Sequence, residues 1–139
     1  MAVRENYRLA DEFSRRAVTL DATDGEAWAT AARVSALILQ LKYEMTPERK
    51  ELAKIQVERA NRLAPASIET GFAQAIYLAV NGDVPQAEQM LRQLIQRAPA
   101  DKRLWRHLGT ILMEAERFDE VLGLFRQAGG LLDGDPRSE

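Results

Sequence analysis

An internal repeat of 34 residues constrains the fold of this chain more than any other feature of its sequence. Sliding the sequence on itself by that distance superposes small, apolar or turn-forming residues: Ala75 on Gly109, Leu78 on Leu112, Ala87 on Val121, Leu91 on Phe125 and Pro99 on Asp133. A period of this length is typical of helical repeats with two helices per unit. Because one hairpin cannot bury its apolar face alone, neighbouring hairpins stack. We therefore expect an all-α chain.

Helix-favouring residues fill the segments between a few glycines and prolines, and they predict seven helices. The predicted helices cover about 5–20, 25 to the low forties, 47–63, 68–80, 84–97, 102–115 and 117 or 118 to 128. The predicted N-caps are Asp24, Thr46, Ser67, Asp83 and Asp101. Gly82 suits a left-handed turn, and Gly129-Gly130 ends the last helix.

The apolar stripe of the first helix is predicted from the spacing of Tyr7, Leu9, Ala10, Phe13, Ala17, Val18 and Leu20. For the second helix we expect an inward face made of Trp28, Ala31, Ala32, Ser35, Ile38 and Leu39. The closing segment 133–139 has no apolar residue, and we expect it to be poorly ordered.

Three units carry the spacing of a known repeat. The last has Trp105, Leu108, Gly109, Leu112, Phe118, Phe125 and Ala128, and the one before it has Ala75, Leu78, Gly82, Ala87, Leu91 and Pro99. An earlier unit has Trp28, Ala32, Ala53, Val57, Ala60 and Pro65. These residues resemble the tetratricopeptide repeat (TPR) family, which implies a right-handed α-solenoid of about three and a half repeats in a single domain, 1–139. The units are a half-repeat 4–24, a repeat with an insertion 25–67, and repeats 68–101 and 102–135.

The first full unit is longer than the others. Trp28 and Pro65 lie 37 positions apart, nine more than in a regular unit, which places an insertion around Leu37 to Met45. We expect it to lengthen the first helix of the unit or its turn, with Tyr43 and Met45 forming a local knob. The stretch resembles TPR regions attached to bacterial signalling proteins such as nucleotide cyclases, protein kinases and transcription activators. The opening half-unit suggests a segment of a longer solenoid.

Composition excludes much of the catalytic repertoire. The 139 residues include no cysteine and one histidine. The sequence therefore excludes thiol nucleophiles, Cys-ligated metals and most His-centred triads. The formal charge of −2 gives no electrostatic reason to favour nucleic acid or a membrane. No apolar run is long enough to span a bilayer. The first residues, Met1 to Asn6, have neither the basic nor the apolar region of a signal peptide, and we expect none. We expect a soluble, cytoplasmic, non-catalytic chain without cofactor or metal.

The TPR resemblance implies that the first helices of successive units line a concave groove that holds a protein or peptide. The candidate binding residues carried over from the family are Arg33, Leu37, Glu69, Phe72, Ile76, Val80, Arg103, Arg106, Thr110 and Met113. They predict a floor that is apolar in the middle and basic at one end, suited to an amphipathic segment with an acidic flank. The carboxylate clamp of co-chaperone members is absent, because Ala29, Arg33, Phe72 and Ala73 occupy its positions.

Each candidate has a structural alternative. Phe72, Ile76 and Val80 suit packing between helices equally well, and the equivalent positions of Trp28 and Trp105 favour core packing. A lone histidine at position 107 predicts a surface imidazole, and the acid pairs Asp11/Glu12 and Asp119/Glu120 predict early or exposed helical turns. A second hypothesis for function is a structural spacer or self-association element that forms a homodimer through a terminal helix.

Overall fold

A computed structural model describes residues 2–129 of the chain, with the side chain of Ala2 left out. Over this range the protein is all-helical, with seven helices and no strand. The helices are α1 (Ala2–Leu20), α2 (Gly25–Gln40), α3 (Pro47–Leu63), α4 (Ile68–Val80), α5 (Val84–Arg97), α6 (Lys102–Glu114) and α7 (Phe118–Ala128). The prediction of seven helices is confirmed, whereas Gly130, Leu131, Leu132 and the predicted tail 133–139 lie outside the described residues.

Side-chain caps fix five helix starts as predicted. Asp83 accepts a hydrogen bond from the Gln86 N–H, in the first turn of α5, at 3.4 Å. Asp24, Thr46, Ser67 and Asp101 each accept a hydrogen bond from a backbone N–H in the first turn of α2, α3, α4 and α6. These bonds satisfy donors that a helix start otherwise leaves open. By contrast, α7 begins after Arg117 without a side-chain cap.

The three hairpin turns share one backbone conformation. The second residue after α2, α4 and α6 has a positive φ, namely Lys42 at 60°, Gly82 at 87° and Glu116 at 59°. In each turn the next N–H bonds back to the carbonyl five residues earlier, at 2.9–3.0 Å. This left-handed helix stop favours glycine, yet only the middle turn has one. The backbone hydrogen bonds therefore enforce the turn whatever residue occupies it.

The nine additional residues of the first hairpin are spread over its length. Relative to the α4–α5 hairpin, α2 is longer by three residues and α3 by three. The connection, 41–46 against 81–83, is also longer by three. The insertion thus lengthens the helix and its turn, as expected, and also begins α3 earlier, so that the hairpin extends by almost one helical turn.

The chain divides into two compact units, Met1–Ala87 and Glu88–Glu139. In the first, α2 is the central helix and packs against α1, α3 and α4. Its predicted inward residues are all buried, and a cluster of Val18, Trp28, Ala29, Ala31 and Ala60 joins it to α1 and α3. Gly25 lies so close to α3 that an added Cβ would sit 2.7 Å from the Cβ of Ala64.

The apolar stripe predicted for α1 is wrong as a buried face. Of its seven residues only Val18 is buried, while Phe13 is 60% and Leu20 87% exposed. The inward face is instead lined by Tyr7, Asp11, Ser14 and Val18. The error has a physical cause: two polar residues occupy this face, so hydrophobic periodicity alone does not identify it.

In the second unit, α6 packs against α7 through buried apolar side chains. These include Leu104, Leu108, Ile111, Leu112, Val121 and Leu124. Gly109 has more room than Gly25, because an added Cβ would lie 3.7 Å from the Leu124 side chain. No helix between residues 2 and 129 has the length and apolar character needed to cross a membrane.

Candidate functional site

The groove residues predicted on α2 and α4 are mostly engaged within the first unit. Phe72 and Ile76 are buried, at 4% and 0% exposure, and Leu37 and Val80 are half-buried. Arg33 of α2 forms an ion pair with Glu69 of α4. The structure therefore brings two candidate residues together, and their charges satisfy each other. Phe72 and Ile76 offer almost no surface to a ligand, which supports the alternative that they pack in the core.

The candidates on α6 lie in the second unit and are exposed. Arg103, Arg106, Thr110 and Met113 are spaced by three and four residues, which places them on one face of the helix. Arg103 bonds to its own N-cap, Asp101, with a closest approach of 2.9 Å, and Thr110 donates to the Arg106 carbonyl at 3.1 Å. Met113 is 51% exposed. We call these four residues the α6 face.

The prediction of a surface imidazole at His107 is wrong. The side chain is buried at 9% exposure, and burial lowers its pKa to about 4. The imidazole is therefore neutral at pH 7 and contributes no charge to the α6 face. The signal in the sequence is its position, because residues 104, 108 and 111 are spaced around it on the apolar side of the helix.

A buried cluster of charges in the first unit was not predicted. Arg49 of α3 donates to both carboxylate oxygens of Asp11 on α1, each at 2.8 Å. It also donates to the Ser35 hydroxyl of α2 at 3.0 Å and to Glu44, in the α2–α3 connection, at 3.2 Å. We call Asp11, Ser35, Glu44 and Arg49 the α1 clamp, because they tie α1 to the extended hairpin.

Electrostatics holds the α1 clamp in its ionised form. Burial alone raises the pKa of Asp11, but the hydrogen bonds and charge of Arg49 outweigh this and leave the pKa below its usual value. The same carboxylate, with Glu44, raises the pKa of Arg49. Arg49 is only 5% exposed, and its Nε is buried without a hydrogen-bond partner. Such a pair is costly to break, because the buried charge that remains would keep only a longer contact, Asp11 with Arg15 at 3.6 Å or Arg49 with Glu44 at 3.2 Å.

The α1 clamp corrects a prediction about the acid pairs. Asp11 lies in the middle of α1 and is buried, not in an early or exposed turn. One feature of the sequence indicates that an acidic residue such as Asp11 pairs with Arg49. Arg49 occupies the first turn of α3, where the helix dipole disfavours a cation, and such a placement indicates an acidic partner. The other pair, Asp119/Glu120, lies in the exposed first turn of α7 as predicted.

A cavity of about 220 Å³ lies beside the α1 clamp, between α1 and the α2–α3 connection. The ring of Tyr43 packs against Tyr7, with 5.7 Å between centroids, and Arg4 donates to the Tyr43 carbonyl at 2.9 Å. Tyr43 thus contacts α1 instead of forming a projecting knob, while Met45 is exposed. Three arginines and three carboxylates line the cavity, so it has no net charge to select an ionic ligand.

Both tryptophans belong to the packed interior, as predicted. Trp28 and Trp105 are 9% and 8% exposed, and each Nε1 donates at 2.8 Å to the carbonyl six residues earlier, Ala22 or Pro99. Within residues 2–129 no group of three or more His, Asp or Glu is placed to hold a metal ion. No protein-family model matches the chain, and no curated protein matches its sequence.

Proposed function

We propose that the chain is a non-catalytic protein-interaction module, a TPR-like α-solenoid of about three and a half hairpins. Three observations support the repeat. The hairpin turns share their left-handed residue and backbone bonds, the two tryptophans donate to equivalent carbonyls, and the extended hairpin differs from the next by three residues in each segment. Repeats of this kind bind ligands on exposed faces of successive helices.

We propose that the ligand is a peptide or helix with an acidic side chain and an apolar anchor, and that it binds the α6 face. The observation that carries this is the exposure of Arg106, Thr110 and Met113 on one side of α6, beside Arg103, which is exposed and bonded to Asp101. The candidates on α2 and α4 are instead buried, half-buried or paired with each other. Arginine and methionine are both enriched at protein interfaces. A preformed face that meets a flexible peptide gives a Kd of about 1 μM, or roughly −8 kcal/mol.

Fluorescence anisotropy against a library of acidic, amphipathic peptides tests this function. Combining Arg106→Glu with Met113→Glu is expected to abolish binding without unfolding the chain, because both side chains are exposed. Arg126→Glu is the control for the charge reversal at Arg106, since it makes the same Arg→Glu change at an exposed position of α7. Binding that survives the double variant, or that the control also removes, would contradict the proposal.

A second candidate function is a spacer or self-association element, favoured by exposed apolar residues on α1 and α7. Phe13 and Leu20 on α1 and Phe118, Leu122 and Phe125 on α7 are each at least 47% exposed. Exposed apolar patches on a small protein often mark association surfaces. Mass that rises with concentration would favour this function over peptide binding by a monomer.

We also propose a cytoplasmic location and a larger bacterial regulatory parent. The resemblance of the extended hairpin to TPR regions of signalling proteins supports both. Cell fractionation with an antibody against the chain tests the location, and the apparent mass of the detected band tests the parent.

A further inference from the structure

Six residues of α1 form an exposed stripe with the spacing of a two-helix seam. Val3, Asn6, Ala10, Phe13, Ala17 and Leu20 alternate in steps of three and four, the pattern of the contact positions in a coiled coil. All are exposed except Ala10, which is half-buried, and they lie beside the inward face that packs on α2. We call these six residues the α1 stripe.

Three positions of α3 that are equivalent to residues of the α1 stripe are buried against another helix. The last residues of α1 and α3, Leu20 and Leu63, are 43 positions apart. The same shift carries Ala10, Phe13 and Ala17 onto Ala53, Gln56 and Ala60 of α3, which are 0%, 1% and 0% exposed. Helix α3 packs against α2, its antiparallel hairpin partner. The α1 stripe is therefore the surface that an antiparallel helix covers elsewhere in this protein.

We propose that a second copy of this chain covers the α1 stripe, through an antiparallel pair of α1 helices related by a two-fold axis. The stripe is self-complementary in size. With the axis midway along it, Phe13 of one copy faces Ala10 of the other, Val3 faces Leu20, and Asn6 faces Ala17. Except at the ends, each large side chain therefore meets a small one. Each contact occurs twice, once in each direction between the two copies, as an isologous interface requires.

The charges beside the α1 stripe are complementary in the same arrangement. Glu5 and Arg16 lie within about 20° of each other around the helix, on the edge away from α2. In the antiparallel pair they meet within about 3 Å along the helix axis, acid against base, twice per dimer. Arg16 already holds Glu12 of its own helix at 2.7 Å, which neutralises the acid nearest the two-fold axis. Glu5 is likewise paired with Arg8 of its own helix, so the contact between copies is a shared one. The Arg16 guanidinium keeps further N–H donors, and the Glu5 carboxylate keeps further acceptor positions.

The α1 clamp makes this surface rigid. Arg49 binds Asp11 on a different side of α1 and fixes this helix to the first unit. Association through the α1 stripe therefore does not carry the entropic cost of ordering a mobile helix. The proposal deepens the self-association candidate and does not depend on peptide binding, since the α6 face uses other residues.

Light scattering after gel filtration, over a hundredfold range of concentration, tests the dimer on the full chain. The mass is expected to rise from 15.6 kDa to twice that value. Phe13→Asp, and separately Ala17→Glu, should hold the chain at the lower mass with unchanged circular dichroism, because both positions are exposed. Leu122→Asp is the matched control on α7, at similar exposure, and should leave the dimer intact. A constant 15.6 kDa, or a dimer lost with Leu122→Asp and kept with Phe13→Asp, would overturn the proposal.

Two further experiments test the orientation. Arg16→Glu should weaken the dimer about tenfold, or ~1.4 kcal/mol, and Glu5→Arg in the same chain should restore it. Since the chain has no cysteine, Val3→Cys and Leu20→Cys can be oxidised alone or mixed. A cross-link that forms only in the mixture supports the antiparallel pair, and one that forms with Val3→Cys alone contradicts it. Peptide binding measured on Phe13→Asp keeps this test separate from that of the α6 face.

Discussion

The two units both contain an arginine held by two carboxylates, and they differ in where it lies. In the first, Arg49 is 5% exposed between Asp11 and Glu44; in the second, the Arg117 side chain is 38% exposed between Glu88 and Glu120. The buried pair joins separate helices in a low-dielectric setting, whereas the exposed one is screened by water and salt. Similar contacts therefore make α1 dependent on its charges, while the second unit relies on apolar packing.

Replacing the two arginines separately should give the largest contrast between the units. Arg49→Met leaves the buried Asp11 with only the longer contact to Arg15, at 3.6 Å, and is expected to cost about 3–5 kcal/mol. Arg117→Met removes a more exposed ion pair, which water and salt screen, and should cost much less. Urea denaturation followed by circular dichroism measures both. Combining Asp11→Leu with Arg49→Met should recover most of the loss, and a double variant as unstable as Arg49→Met would show that the shape of the α1 clamp, not its charge, holds α1.

Two of the helical glycines, one in each unit, sharpen the same comparison through packing. Gly25→Ala is expected to cost about 1–3 kcal/mol, because the new methyl group would overlap Ala64 and the α3 backbone. Gly109→Ala meets only ordinary contact distances and should gain up to about 1 kcal/mol from helix propensity. Thermal unfolding of the two variants side by side decides this, and equal losses would mean that Gly109 also marks a close approach.

Lowering the pH should destabilise the first unit by protonating Asp11. Its pKa is lowered in the folded chain, so its contribution to stability is present above the unfolded value of about 3.8 and is lost as pH falls through the folded value. We expect the free energy of unfolding to fall below pH 4 in the wild type. The Asp11→Leu/Arg49→Met variant should lose less over the same range, and parallel pH profiles would contradict the role of Asp11.

The smallest effect is expected at the turn after α6. Glu116 holds a φ of 59° that glycine adopts without strain, so Glu116→Gly should stabilise the second unit by about 1 kcal/mol. Gly82→Ala makes the opposite change in the equivalent turn and should destabilise by a similar amount. A loss of stability in Glu116→Gly would mean that the side chain has a stabilising contact that outweighs the backbone strain.

The sequence predicts the helices well because their boundaries depend on local chemistry. Asp24, Thr46, Ser67 and Asp101 cap the helices they were expected to cap, and the inward face of α2 follows its periodicity. These features need only residues within a few positions of one another.

The candidate site is less predictable, because it depends on contacts between distant residues. Asp11 and Arg49 are 38 positions apart, so spacing within one helix does not reveal that they pair. For the same reason it does not reveal which face of α1 packs against α2. Arg33 and Glu69 were named as groove residues, but their mutual ion pair follows only from the packing of α2 on α4. His107 differs, because the apolar residues spaced around it in α6 already place it on the buried side of the helix, and the prediction missed that signal.

The hydrogen-bonded indoles of Trp28 and Trp105 give this protein one tryptophan fluorophore in each unit. Both rings are buried, and both N–H groups donate to a backbone carbonyl, so emission should shift to longer wavelength when either environment opens to water. A Trp28→Phe chain then reports only on the second unit, and a Trp105→Phe chain only on the first. Whether the two transitions coincide would show directly if the units unfold as one cooperative body.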